Sequence, residues 1–377
     1  MQCWIELDAS ALRNNYRILK SRSGKAVMAP VIKSNAYGHG LTEVYGILAG
    51  ENPPWLAVNY PEEAGQLRRL GYNGRLMIVG PCAPELLAEC HRLDATIFLT
   101  HQELKEAWIA APKKPTAHIK FDTGMSRQGF LPEEAAALAR ELLPWKEQIT
   151  GVCSHFANVE DVLEHDYATQ QMKAFNQALP CFRDAGYTIM ANIASSASTL
   201  LMEDSHYDLT RVGISLYGFW PSKSTRLSYL RDHNQPADLR PVLSWRTPVS
   251  SVKKVPKGKF IGYGCTYRTV HDTLVAVLPV GYAEGYPRAA GEQNSYVLIS
   301  GGRCPVLGRI CMNMMMVDVS HLPVPPKPGD TATLIGRDGE EVLDAMTLAG
   351  WAGTIHYELV TCLNPAIPRR VLDGNSP

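Results

Sequence analysis

Short apolar runs alternate with longer amphipathic segments over roughly the first 214 residues of the chain. A short run bounded by glycine, proline or charged residues is typical of a strand buried on both faces. Eight such runs occur at a fairly steady spacing, at residues 26–33, 55–60, 75–80, 94–100, 117–122, 150–156, 189–195 and 207–213. Strands that alternate with helices in this way predict a parallel (β/α)8 TIM barrel rather than an open doubly wound sheet.

The intervening segments carry helix signals. The segment from Pro61 to Leu70 begins with proline and is followed by Gly71, and the segment 132–142 has a similar pattern. A further helix is predicted before the first strand, with Asp8 as its N-cap and with apolar residues at helical spacing on one face. Those apolar residues are Leu12, Tyr16 and Leu19.

The pattern changes after a stretch rich in proline and charge at residues 231–241. Helical periodicity nearly disappears, and strand-like runs separated by Gly, Pro or Asp turns take its place. These runs occupy residues 242–255, 273–280, 295–300, 304–309, 314–320 and 331–335. We therefore expect a barrel domain at residues 1–236 and an all-β carboxyl-terminal domain at residues 237–377.

The amino-acid composition indicates what kind of ligand the protein binds. Lys plus Arg and Asp plus Glu each number 37 in the 377 residues, so no excess of positive charge indicates nucleic acid or an anionic membrane. The nine cysteines contain no Cys-x-x-Cys pair, which favours reduced thiols in a cytoplasmic protein over disulfides or a metal site. No apolar stretch approaches the ~20 residues of a membrane span, and no leader is apparent. We expect a small-molecule ligand.

Lys33 is the first candidate for chemistry, because it ends the apolar run 26–32 and is followed at once by a turn-forming segment. Partial burial disfavours the charged form of an amine, so a nucleophilic, imine-forming lysine becomes available near neutral pH. Taken alone, a lysine at a strand end more commonly extends to solvent. The tyrosine, histidine and two glycines of residues 34–40 favour a site for an anchored aromatic aldehyde phosphate.

Other polar side chains follow the later predicted strands, whose carboxyl ends form the active-site rim of such a barrel. They are Lys120 with Arg127, His155, Ser195 with Ser196, and Arg211 with Gly213. Each has an ordinary alternative: His155 as a core histidine, Arg211 as an ion-pair partner, and Ser196 as a helix N-cap. Their joint placement favours a site in which backbone N–H groups near residues 195–196 and 213–214 bind a phosphate.

These residues belong to motifs in a fixed order. Residues 33–40 read Lys-Ser-Asn-Ala-Tyr-Gly-His-Gly, and residues 120–127 read Lys-Phe-Asp-Thr-Gly-Met-Ser-Arg. Further motifs lie at residues 154–157, 211–214, 262–267, 281–285, 308–312 and 357–358. In content and order, the chain resembles the fold-type III pyridoxal phosphate enzymes, and within them the alanine racemase family, over nearly its whole length.

The resemblance implies pyridoxal 5'-phosphate as the cofactor. Lys33 would hold it as an imine and act as one catalytic base, and Tyr263 from the other subunit of a homodimer would act as the second. Arg211 would face the pyridine nitrogen with His155 beside the ring. The residues implied to bind the phosphate are Tyr37, Ser196, Gly213, Ile214 and Tyr357.

On the substrate side, the resemblance implies that Arg127 and the Met312 backbone orient a carboxylate and that Tyr282 helps to close the entrance. Lys120, carbamylated in some relatives, would position Arg127. The implied reaction interconverts L- and D-alanine, which supplies a D-amino acid for peptidoglycan. Racemisation needs a base on each face of the substrate. Lowering the pKa of a lysine and of a tyrosine to near neutrality takes ~4 kcal/mol of differential stabilisation for each residue.

The chain departs from the usual family pattern at a few positions. Ser195 stands where asparagine is common, and Pro365-Ala366 where a Tyr-Arg pair is frequent. Asn313 stands where aspartate is common, and an amide there can donate as well as accept a hydrogen bond. One hypothesis is that Asn313 lets serine be used beside alanine; the alternative is that it only completes local hydrogen bonding.

Two rival functions remain at this point. One is an amino acid decarboxylase of the same fold type, although the glycine-rich phosphate loop and the cysteine–aspartate motif of those relatives are not found in the sequence. The other is a pyridoxal phosphate carrier without catalysis, against which Tyr263 and the second domain argue.

Overall fold

The computed structural model describes residues 3–161, 165–233 and 235–373. The chain forms two compact units. The barrel unit comprises residues 10–36 and 44–240, and the described part of the β unit comprises residues 3–9, 37–43 and 241–373. The sequence alone gave no sign that residues 3–9 and 37–43 pack with the carboxyl-terminal unit.

Eight parallel strands form the barrel, and each overlaps a predicted run. They are Val27–Pro30, Trp55–Val58, Arg75–Ile78, Ala95–Leu99, Ala117–Lys120, Ile149–Cys153, Met190–Asn192 and Leu209–Val212. The second to seventh strands pair in chain order, and the first pairs in parallel with the eighth, with Val27 opposite Leu209. A bridge from Val31 to Ala57 joins the first strand to the second. The predicted barrel is confirmed.

Helices alternate with these strands. They span Ala9–Arg22, Leu41–Ala49, Pro61–Arg69, Leu87–Arg92, Gln102–Ala110, Ala135–Glu141, Asp166–Asp184, Ser196–Leu201 and Lys223–His233. Asp8 directly precedes the first helix, whose predicted apolar face is buried: Leu12, Tyr16 and Leu19 are at most 1% exposed. The segment predicted as one helix at residues 132–142 is instead a 3-10 turn, Pro132–Glu134, followed by the helix Ala135–Glu141.

Strands dominate the β unit, as predicted. They are Trp4–Asp8, Leu243–Pro248, Ser251–Val255, Phe260–Ile261, Tyr267–Arg268, Thr273–Leu278, Tyr296–Ile299, Gly302–Pro305, Met315–Asp318, Thr331–Asp338, Glu341–Leu343 and Arg369–Leu372. The amino-terminal strand lies inside the main sheet, antiparallel to one neighbour, with Ile5 opposite Trp245, and parallel to the carboxyl-terminal strand. Two short helices, Ala345–Trp351 and His356–Thr361, were not predicted.

Two further observations concern the cysteines and the length of the helices. All nine cysteines are free. Within the described ranges, no helix combines the length and the apolar character needed to cross a membrane.

Candidate active site

Lys33 lies just beyond the first barrel strand, at the start of a left-handed turn. Residues 34–36 have φ values of 55°, 53° and 53°, a conformation that costs L-residues about 1–2 kcal/mol each. Local contacts hold the turn: the Asn35 N–H donates to the Glu63 carboxylate at 3.3 Å, and Ala36 is completely buried. A strained turn that its surroundings fix in place is a common feature of functional sites.

The surroundings of Lys33 favour the neutral amine. Burial lowers the pKa of Lys33, and the positive charges of Arg127 and Arg211 lower it further, against the opposing charge of Glu63. The barrel therefore brings together three basic residues that are far apart in the sequence. Their arrangement favours the neutral, nucleophilic form of Lys33 over the charged form.

Arg211, on the last barrel strand, is 7% exposed and held by uncharged acceptors. Its guanidinium donates to the Asn192 side-chain oxygen and, at 2.7 Å, to the Ser154 carbonyl. A third contact, at 3.3 Å, joins it to Nδ1 of His155. Burial, together with the charges of Arg211 and Lys120, holds the pKa of His155 well below its usual range, so this imidazole is neutral and accepts a hydrogen bond.

Ser196 joins two neighbouring loops of the barrel rim. Its buried Oγ accepts hydrogen bonds from the N–H groups of Gly213 at 3.0 Å and Ser215 at 3.4 Å. The short helix begins at Ser196, so the N-cap is Ser195 rather than Ser196; the Ser195 N–H is hydrogen-bonded to Ser198 Oγ at 2.8 Å. The two segments predicted to bind a phosphate are thus in contact with each other, and Ile214 follows directly on Gly213.

Lys120 ends the fifth barrel strand and is 6% exposed. Burial lowers the pKa of this lysine to about 8, and the positive charges of Arg211 and Arg127 contribute despite the opposing effect of Cys153. The neutral amine required for carbamylation is therefore accessible near physiological pH. The positive charge of Arg127 thus acts on the Lys120 amine, which places the two residues in the same part of the barrel rim.

Sequence reasoning missed Asp122, which organises the loop that carries Arg127. Its carboxylate accepts hydrogen bonds from the N–H groups of Gly124, Met125, Ser126 and Arg127 at 2.9–3.1 Å. Burial alone would raise the pKa of Asp122, but these four donors lower it overall. The signal was present in the sequence, because an aspartate two residues before a glycine is typical of a turn held by its own side chain.

In the β unit, Tyr263 is 71% exposed, in a short turn at Tyr263–Cys265. The flanking Gly262 and Gly264 have φ values of 77° and 75°, which other residues rarely adopt. The guanidinium of Arg309 lies against this turn, since a Cβ on Gly264 would come within 2.8 Å of its Nη1. The tyrosine is thus presented outward, with a positive charge close to its turn.

The remaining predicted residues of the β unit lie on four short segments. Tyr282 and Met312, 44% and 56% exposed, are on adjoining loops, where the Tyr282 N–H donates to the Cys311 carbonyl at 3.2 Å. The Asn313 amide donates to the Glu284 carboxylate at 2.6 Å, a partner that the sequence did not indicate. The other two residues are Tyr37, which is half-buried, and Tyr357, which is on the helix His356–Thr361.

Comparison with known proteins identifies the family. Residues 7–221 match the alanine racemase amino-terminal domain, and residues 242–371 match the alanine racemase carboxyl-terminal domain. The chain belongs to the alanine racemase family. This family consists of isomerases of fold type III that depend on pyridoxal phosphate.

Individual relatives agree with this assignment. An alanine racemase of Leptospira interrogans is 36% identical over 374 residues, which are 98% of this chain and 96% of that protein. One from Carboxydothermus hydrogenoformans is 36% identical over 97% of this chain and 98% of its own length. Both are named as racemases, so the decarboxylase alternative is not favoured.

Solved structures of the family have the same fold. The alanine racemase of D-cycloserine-producing Streptomyces lavendulae superimposes with a TM-score of 0.89 at 31% identity, covering 100% of this chain and 98% of that one. The Bacillus anthracis alanine racemase with bound L-Ala-P gives a TM-score of 0.87 at 32% identity, covering 98% and 95%.

The residues of the barrel unit fit the cofactor of the family. The Lys33 amine has a lowered pKa suited to imine formation, and Arg211 offers a buried, fixed guanidinium. The Ser196 hydroxyl accepts the N–H of Gly213, which leaves its own proton to donate to a phosphate at the junction of the two rim loops. The amine suits the aldehyde of pyridoxal phosphate, the guanidinium suits its ring nitrogen, and the hydroxyl suits its phosphate.

Proposed function

We propose that this enzyme interconverts L- and D-alanine with two bases, Lys33 of one subunit and Tyr263 of its partner in a homodimer. The lowered pKa of Lys33, on a turn fixed at the mouth of the barrel, carries the proposal. The cofactor, when bound, withdraws electrons from the substrate and makes its Cα proton removable. Lys33 Nζ then takes or returns the proton on one face, and the Tyr263 oxygen does so on the other.

The other barrel residues control this exchange. Arg211 stays charged and is too weak an acid to transfer a proton to the ring nitrogen, which limits how far negative charge moves away from the substrate. Arg127, whose loop is tied to Asp122, binds the substrate carboxylate. Lys120, as a carbamate, would hold Arg127 in place. In the β unit, Tyr282 and the Met312 backbone would border the substrate, and Tyr37 and Tyr357 would contact the phosphate with Ser196, Gly213 and Ile214.

The exposed side chains of the β unit support a shared site in a dimer. Tyr263, Phe260 and Met312 are 71%, 56% and 56% exposed, so a partner surface that covered them would remove apolar area from water. We also propose a cytoplasmic location, which the nine free cysteines support, and a role for the product in peptidoglycan synthesis.

Three variants test the two-base proposal by racemisation and by exchange of the Cα proton in heavy water. Lys33→Ala should lose the visible absorbance of the lysine-linked cofactor, together with activity. Tyr263→Phe should keep the absorbance and lose most turnover. Tyr60→Phe, which changes another exposed tyrosine, should behave as wild type. Full activity in Tyr263→Phe would overturn the two-base mechanism.

A mixing experiment tests the shared site. When Lys33→Ala and Tyr263→Phe subunits are dissociated and reassociated together, a mixed dimer has one intact site only if the two bases come from different chains. Random pairing then restores about a quarter of wild-type activity, since half of the dimers are mixed and each has one working site of two. No recovery in confirmed mixed dimers contradicts the exchange of Tyr263 between subunits.

We propose further that Asn313 widens the substrate range to serine. Its amide nitrogen is committed to Glu284 at 2.6 Å, while its oxygen can accept a hydrogen bond from a substrate hydroxyl. The same hydrogen bond also supports the alternative of a purely local role. The ratio of L-serine to L-alanine turnover decides between them: a ratio that is unchanged in Asn313→Asp excludes the serine hypothesis.

A further inference from the structure

Glu284 connects the loop that carries Tyr282 to the loop that carries Met312. One oxygen of its carboxylate accepts the N–H of Gly281 at 2.8 Å, and the other accepts the side-chain amide of Asn313 at 2.6 Å. Hydrogen bonds to an ionised carboxylate are about twice as strong as those between neutral groups. A single side chain therefore ties the start of one loop to the tip of the other.

The backbone contacts between these loops leave little freedom. The N–H groups of Tyr282 and Ala283 donate to the carbonyls of Cys311 and Met312 at 3.2 and 2.9 Å. At Gly281 there is no room for a side chain, because a Cβ would lie 2.0 Å from the Cys311 oxygen. The two loops therefore form one packed assembly, and a shift of either one moves both Tyr282 and Met312.

A third segment supports the same assembly from the other side. Asn364 donates its backbone N–H to the Glu284 carbonyl at 3.2 Å and its side-chain amide to the Ala283 carbonyl at 2.9 Å. The Glu284 backbone is thus fixed independently of its side chain. Removal of the side-chain charge should therefore change the contact with Asn313 without displacing the chain at residue 284.

We propose that Glu284 is a positioning residue for the substrate-facing loops, and that it requires an uncharged hydrogen-bond donor at position 313. This inference rests on the proposed function, in which Tyr282 and Met312 border the substrate. An aspartate at position 313 would set one carboxylate against another at hydrogen-bonding distance, where like charges repel and no donor remains. The identity of residue 313 is then coupled to that of residue 284.

The coupling is tested by exchanging the hydrogen-bond donor and acceptor between positions 284 and 313. In Asn313→Asp, the loss of a charge-assisted hydrogen bond and the added repulsion should lower kcat/KM for alanine about tenfold, chiefly through KM. Glu284→Gln should change kcat/KM by less than about threefold. The glutamine oxygen can still accept from the Gly281 N–H, and the Asn313 side-chain amide can flip so that its oxygen accepts from the glutamine NH2 group. The double variant offers a glutamine donor to the new aspartate, so it should recover most of the lost activity.

Amide hydrogen exchange of the holoenzyme gives a second readout that does not depend on turnover. Segments 281–286 and 311–314 should exchange faster in Asn313→Asp and return towards wild-type protection in the double variant. Asn73→Asp, a matched change at an exposed asparagine of the barrel unit, should alter neither activity nor the exchange of these segments.

The outcomes separate this inference from the proposed function. If the double variant is as impaired as Asn313→Asp in both KM and exchange, the two residues are not coupled and the inference is overturned. The same conclusion follows if Asn313→Asp leaves the exchange of both segments unchanged. If the wild-type enzyme fails to racemise alanine, the proposed function fails, while the exchange data still decide whether Glu284 and Asn313 hold the loops together.

Discussion

Replacement of Lys120 by methionine should remove a specific component of the pH dependence of stability. The pKa of Lys120 is lowered from an ordinary value of 10.5 to about 8, chiefly by burial. Between these two values the unfolded chain binds more protons at this residue than the native chain does, so native stability rises with pH across this window. Methionine has a similar volume and carries no charge, so the variant lacks this contribution.

The size of the effect follows from the two pKa values. At ~1.36 kcal/mol per pH unit, the gap between 10.5 and about 8 corresponds to about 3 kcal/mol, which is the cost of the charged lysine at low pH. Between about pH 7.5 and about pH 9, the same relation predicts that the native state regains about 1 kcal/mol of this cost. The pKa of Cys153 is raised from 9.0 to about 11 and acts in the opposite sense, which is why the comparison stops near pH 9.

The assay is urea unfolding of wild type and Lys120→Met at both pH values, in buffer depleted of CO2 so that Lys120 is not carbamylated. Wild type should gain about 1 kcal/mol relative to the variant as the pH rises. Lys173→Met, at an exposed position of the helix Asp166–Asp184, should follow wild type. An equal gain in Lys120→Met and wild type refutes the argument, because the buried amine would then not be the group that titrates.

Two further changes probe the barrel unit. Asp122→Asn weakens the acceptor of four backbone N–H groups, so the loop of Arg127 should loosen and KM for alanine should rise about tenfold with a smaller effect on kcat; an unchanged KM contradicts this. Gly151→Ala places a Cβ 2.5 Å from the ring of the buried His118. Overpacking there should lower the free energy of unfolding by about 1–3 kcal/mol in urea titrations, and unchanged stability would show that the ring can move aside.

The barrel could be predicted because its strands are buried on both faces. Residues 55–58 and 95–99 are buried at every position, and a continuous apolar run is the sequence pattern that such burial produces. The rim residues followed from the same reasoning, since the carboxyl ends of parallel strands converge on one site. Lys33, Lys120 and Arg211 could therefore be grouped from their positions alone, before any contact between them was known.

Contacts between distant segments could not be predicted in this way. The strand Trp4–Asp8 pairs with residues more than two hundred positions later, and five residues carry too little periodicity to indicate a sheet partner. The left-handed turn after Lys33 is also hidden, because residues 34–36 are not glycines and local propensity argues against φ values near 55°. Tertiary contacts override propensity at this turn, as is common where backbone strain serves a site.

The charges of the barrel rim also explain which ligands it can accept. Arg127 and Arg211 both lower the pKa of Lys33 and of Lys120, so the four basic groups repel one another. Each anion that binds among them relieves this repulsion and favours the protonated lysines, whereas a cationic ligand would increase it. This rim therefore favours an anionic ligand over a cationic one, while burial, the larger cause, lowers the pKa of Lys33 whether or not an anion is bound.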